Sequence, residues 1–270
     1  NPGMKRLLDF YLTNMRIAVQ EQFQYRTQNY LFMVGMIAEP VIYLVVWSSV
    51  ATSQGGSVGG YTAGGIAAYY IVWTLVRNMN LGLSPYSWEH RIQHGRLSIE
   101  LIRPIHPVHT DVAYFAGWKV VVIILWLPLA AVLALIFKPV LHPTGLQIVV
   151  FFFAIWGAYL IRTLAMMALG MTAFWTTRIG AVFDLYFALE LILSGRMVPM
   201  SFMPGWVQHM ANFFPFQWSF YFPINALVGT PTTFELFSGL LIQLAWIVGF
   251  ILLIRLIWHF GIRRFSSVGN

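Results

Sequence analysis

The apolar runs in this chain are too long and too numerous for a soluble domain. Gly145–Thr177 is broken by one charge, Arg162, and Val112–Phe137 carries no charge after Lys119. A helix needs about 20 apolar residues to cross a hydrocarbon core of ~30 Å. Hydrophobic residues make up 59% of the 270 and charged residues 9%, against roughly 45–50% and about 25% in soluble domains. Soluble enzyme, disordered chain and coiled coil are excluded. An all-α membrane protein remains, with spans at Tyr30–Val50, Gly64–Met79, Val112–Phe137, Gly145–Thr177, Gly180–Leu193 and Phe234–Trp258.

Two spans have the wrong length. Gly145–Thr177 would extend about 50 Å as one helix, so it tilts strongly or projects beyond the bilayer. Gly180–Leu193 covers only about 21 Å, and the stretch after it must complete the crossing. That stretch, 194–229, holds Pro199, Pro204, Pro215 and Pro223. Proline at this density forbids one continuous helix, and two short helices that dip into the membrane and return fit the pattern. Broken backbone at membrane depth must be covered by protein or line a cavity.

Ahead of the first span, Met4, Leu8, Tyr11, Met15, Val19 and Phe23 recur at helical spacing among polar residues. Residues 4–29 therefore read as an amphipathic helix in the headgroup plane. Asn1-Pro2-Gly3 precede Met4 and look like a cloning remnant, leaving 4–270 as one transmembrane domain. With the amino terminus inside, Lys138 and Arg196 fall outside and Arg162 and Arg255 within spans. The other twelve of the 16 basic residues fall inside. The positive-inside rule then places both termini in the cytoplasm. The net charge of +7 points to the anionic lipid face, not to nucleic acid.

The segment 84–111, SPYSWEHRIQHGRLSIELIRPIHPVHTD, is the largest inner loop. It predicts a short amphipathic helix, a break at Gly95, a second helical turn and a stop at Pro104. Such a helix suits a partner's groove. His90 and His94, and His106 and His109, have helical spacing, but no cysteine exists to assist a metal, and partner-facing or interfacial imidazoles are the simpler reading. Glu39, Arg77, Arg162, Asp184, Glu190 and Arg255 are ionisable and lie in spans. Such residues mark either function or structural pairing. No G-x-x-x-x-G-K-[ST] run is present, so this chain has no P-loop for ATP.

Two stretches carry a resemblance: GRLSIELIRPIHP over Gly95–Pro107 and SGRMVPMSFMPGWVQHMANFFPFQWSFYFP over Ser194–Pro223. With the order of parts, they resemble the type-2 ATP-binding-cassette (ABC) exporter permeases, from Met4 to the end of the chain. The resemblance implies a non-enzymatic subunit in a bacterial plasma membrane. It would pair with a second permease chain, identical or related, and with two cytoplasmic ATPases that hold the ATP and Mg. It places a coupling helix at Tyr86, Trp88, Glu89, Arg91, Ile92, Gly95, Arg96 and Leu97. It also places an outer gate at Pro199, Pro204, Trp206 and Pro215. Two rival readings remain at this stage. One is an ion- or proton-coupled carrier using Glu190. The other is a transferase on lipid-linked substrates using Glu100 and Asp111.

Overall fold

The computed structural model describes residues 2–177 and 179–266. Residue 178, one of the basic positions counted inside, lies outside the described residues. Of the described residues, 79% are helical. Helix α1 (Pro2–Gln24) ends at Tyr25, and α2 (Arg26–Gly35) and α3 (Ala38–Ser53) follow. The break at Met36–Ile37 has a covalent cause. Pro40 lacks the N–H that would bond the Met36 carbonyl, and its ring crowds that oxygen. The Gly/Ser-rich stretch forms a small antiparallel hairpin of β1 (Ser57–Val58) and β2 (Tyr61–Thr62), with Ser57 opposite Thr62 and Val58 opposite Tyr61.

Helix α4 (Ala63–Asn80) starts at Thr62, whose hydroxyl accepts from the Gly65 N–H. It is buried on every side from Ile66 to Val76 and forms the axis of the main core. The loop after α4 contains α5 (Pro85–Gln93) and α6 (Leu97–Leu101). Gly95, with φ of +69°, makes the turn between them, in a region that only glycine occupies freely. Helix α7 (Pro107–Phe137) is followed by α8 (Gly145–Met171), which continues as a 3-10 turn over Thr172–Phe174. Helix α9 (Gly180–Leu193) leads into a 3-10 turn at Met200–Phe202 and three short helices: α10 (Gly205–Ala211), α11 (Phe216–Ser219) and α12 (Tyr221–Val228). The last helix is α13 (Thr233–Gly261). Thr144 with Gln147, and Thr232 with Glu235, make reciprocal capping boxes at the starts of α8 and α13.

Among the described residues, four segments are long and apolar enough to cross a membrane: Arg26–Ser53, Pro107–Phe137, Gly145–Phe174 and Thr233–Arg264. Helix α9 is too short, and α4 mixes tyrosines, a tryptophan and asparagines into its 18 residues. Helix α13 packs on α8, α1 packs on α7, and α4 packs on α3, α7, α8 and α12.

The bundle has two distinct ends. At one, Tyr11 of α1 meets His109 of α7, and Trp258 of α13 meets both Trp88 of α5 and His106. At the other, the Val140 N–H donates to Gly64 O, Ser201 reaches Gly59 O, and Tyr61 donates to the Asn225 side chain.

Candidate functional site

At the first end, α5 is a polar helix with an apolar underside. Ser84 caps it, and Pro85 sits at its first turn, where the missing N–H costs nothing. The side chains of Trp88 and Ile92 are one turn apart and buried with Leu97 among Leu164, Met167, Met171 and Phe174. Helix α5 approaches α8 closely at Gly170. A Cβ there would stand 2.5 Å from the Pro85 carbonyl oxygen and 2.6 Å from Trp88 Cβ. Glycine is what lets the two backbones meet.

Arg91 fixes the rotation of α5. Its Nη1 and Nη2 each donate to an Asp111 carboxylate oxygen at 2.9 Å, and Nη1 lies 3.4 Å from Glu100 Oε2. This fork ties α5 to the start of α7 and to α6. Burial disfavours charge on Arg91, but the hydrogen bonds and charge of Asp111 and the charge of Glu100 outweigh it and raise its pKa. Glu100 is pushed upward, first by burial and further by Asp111, against the pull of Arg91.

The eight residues assigned to coupling therefore divide. Trp88, Ile92, Gly95 and Leu97 are buried within the chain and Arg91 is engaged with Asp111, so these five hold α5 in place. Tyr86 and Arg96 are exposed and Glu89 is half-buried. With His90, Gln93 and His94, they leave a polar outer face. The His90 and His94 rings lie 4.2 Å apart.

The intramembrane ionisable residues also divide. Arg162 Nη1 donates to Glu190 Oε1 at 2.5 Å, joining α8 to α9, and its guanidinium lies over the rings of Tyr186 and Phe187. Glu39 takes both arms of Arg196, at 2.9 and 2.8 Å, joining α3 to the segment after α9. Arg77 lines a cavity of about 350 Å³ with Asn80, Arg162, Glu190 and Arg196. Its buried Nε has no hydrogen-bond partner among the described residues. Asp184 is exposed on α9, and Arg255 is exposed on α13. Glu190, the acid a proton route would use, is thus held by a cation.

At the opposite end, aromatic donors of α4 hold an irregular chain. The hydroxyls of Tyr69 and Tyr70 donate to the carbonyls of Gly195 and Met197, and the Trp73 indole donates to that of Arg196. Three consecutive carbonyls are satisfied from one helix face and its shoulder. Of the residues assigned to the gate, Pro199 and Pro215 are buried, and Pro204 and Trp206 are exposed.

Residues 37–269, from the start of α3 onward, match the family described as ABC-2 family transporter protein. The chain belongs to this family. It is a membrane permease subunit of an ABC transporter, and membership implies association with an ATP-binding subunit. No curated protein matches the chain. Helices α1 and α2 lie outside the ABC-2 match.

Sequence reasoning missed three parts of this permease. Arg196 was counted as an outer loop charge and is the partner of Glu39. Asp111 was weighed as a transferase acid and is the partner of Arg91. Lys119 was counted among inner-surface charges. It is 1% exposed and donates to the carbonyls of Asn78 and Leu81, capping the end of α4. No local pattern signals these pairs, because each joins segments distant in sequence.

Proposed function

We propose that this chain is one half of the conduit of an ATP-driven exporter in a bacterial plasma membrane. Two permease chains, identical or related, work with two cytoplasmic ATPases that bind ATP and Mg between them. Six crossings are read as α2–α3, α4, α7, α8, α9 with the short helices after it, and α13. Both termini are cytoplasmic, and α1 lies at the inner interface. Helix α5 is the coupling helix, and residues 194–229 dip into the membrane from outside as a gate.

The observation that carries this reading is the two-sided character of α5. Its apolar side and Arg91 are locked to α8, α7 and α6, while Tyr86, Glu89, His90 and Arg96 are left to a partner. A helix gripped this way passes a push to α8 as a rigid body. The exposed faces of α3 and α9, with Val45, Val46, Val182 and Leu185 open, suit the second permease chain. The cavity at Arg77 lies beside α9, on the cargo side.

The test uses the chain reconstituted with its ATPase. The permease alone hydrolyses no ATP, and the complex hydrolyses ATP and transports. Glu89→Ala with Arg96→Ala, one half-buried and one exposed position outside the Trp88 and Arg91 anchors, leaves the permease folded and abolishes coupled transport. Full transport in that double variant overturns the coupling assignment. Transport in ATP-free vesicles driven by an ion gradient overturns the ATP-driven reading itself.

A further inference from the structure

A groove of about 610 Å³ lies between α1, α7, α8 and α13 at the end of the bundle that carries α5. Its two parts differ in chemistry. Leu160 and Leu164 of α8 and Ile247, Ile251 and Ile254 of α13 make an apolar track. The track's mouth is formed by Arg255, His259, His106, His109, Trp258 and Tyr11. Arg255 and His259 are four apart on α13, and Arg263 follows four residues later in the 3-10 turn Ile262–Arg264, so the three form one ladder. Arg263 Nη2 stands 3.0 Å from His259 Nε2.

Among its lining residues the mouth holds one fixed cation, Arg255, with neutral donors and no carboxylate. The nearby acid, Asp111, is turned to Arg91. Burial, with His109 beside it, lowers the pKa of His106. Its Nδ1 accepts from the Val108 N–H, so the neutral ring carries its proton on Nε2. Arg255 makes no ion pair among the described residues and is exposed. A cationic mouth over an apolar track is complementary to an amphiphile with an anionic head. Leu252, Leu253 and Leu256 are exposed beside the track, a surface that suits contact with hydrocarbon, so the occupant we infer comes from the bilayer.

We propose that this groove binds one anionic phospholipid of the inner leaflet, with its phosphate on Arg255 and an acyl chain along Leu164, Ile251 and Ile247. The site is separate from the coupling face of α5 and rests only on this end of the bundle lying at the inner surface. A lipid seated there would fill the gap between α7 and α13 and brace Trp258, which packs on Trp88 of α5.

The experiment places the purified chain in nanodiscs of equal palmitoyl-oleoyl phosphatidylglycerol and phosphatidylcholine and measures retained lipid by native mass spectrometry after detergent release. The wild type should retain phosphatidylglycerol several-fold over phosphatidylcholine. Arg255→Gln should abolish that preference, while Arg264→Gln, the same charge change off the ladder, should preserve it. Ile251→Trp, which fills the track and leaves every charge in place, should also reduce retention. Equal retention of both lipids overturns the proposal. So does an Arg264→Gln loss as large as that of Arg255→Gln, which would mean surface charge alone. The chain has no cysteine, so Ile251→Cys reports neighbours cleanly. Disulfide-linked dimers through it would assign the groove to a second copy and overturn the lipid.

Discussion

The two ends of the bundle are held by opposite kinds of bond. At the α5 end, a regular helix is fixed by side chains: the Trp88 wedge and the Arg91–Asp111 fork. At the other end, an irregular chain is fixed through its backbone, with Tyr69, Tyr70 and Trp73 donating to three consecutive carbonyls. The difference is instructive. A regular helix satisfies its own backbone, so it can move as a unit and needs only a few strong anchors. A proline-broken chain has carbonyls left over, and at membrane depth each must find a donor. The first arrangement suits a lever, and the second suits a seat whose release costs several hydrogen bonds together.

Removing the anchors of α5 tests the lever most strongly. Trp88→Ala should cost about 3–5 kcal/mol, the usual cost of deleting a buried large aromatic, read as the largest fall in midpoint in thermal unfolding of the detergent-solubilised chain. An unchanged midpoint would break the contrast. Asp111→Ala should cost about 3 kcal/mol, because it leaves Arg91 half-buried without its fork. The double variant Arg91→Met with Asp111→Leu should recover most of that stability. If coupled transport returns with the stability, the charge serves only packing. If transport stays lost, the fork itself carries the motion.

The backbone-held seat at the other end should respond in smaller steps. Tyr69→Phe removes the donor to the Gly195 carbonyl and should cost about 1–3 kcal/mol, the penalty of one orphaned buried acceptor. Phenylalanine keeps the ring packing, so a loss confined to this range is the signature of a backbone-held segment.

The smallest effect concerns Glu100. Its folded pKa lies above the ordinary value, chiefly through burial. A raised carboxyl pKa means its contribution is full below the unfolded pKa and is lost as pH rises through the folded one. Glu100→Gln should therefore remove a shallow decline in stability as pH rises from about 4.3 upward. The change should be only tenths of a kcal/mol, since the group is half-exposed and screened. A pH profile identical to the wild type would show that Arg91 alone sets this corner.

Much of the architecture was legible. The long apolar runs, the helix–Gly95–turn pattern of residues 84–111 and the proline-broken stretch 194–229 each follow from local chemistry. The kink at Met36 was written in Pro40 but obscured by the apolar run around it. The site was legible only as a collection of residue types. Glu39, Arg162 and Glu190 stood out because charge is rare in lipid, yet their pairing with Arg196 and with one another crosses 157 and 28 positions of sequence. Trp88 and Ile92 read as one amphipathic face, and nothing local states whether that face turns to a partner or to the chain's own core.

By itself, the sequence determined that the chain lives in a membrane, which segments are helical and where proline prevents helix. These depend on hydropathy, on a missing N–H and on spacing, all properties of neighbours along the chain. Tertiary structure alone decided which charges neutralise which, that Gly170 lets α5 sit against α8, and that α4 holds the carbonyls of Gly195, Arg196 and Met197. Those depend on distances between segments far apart in sequence, and such distances exist only after the helices have packed.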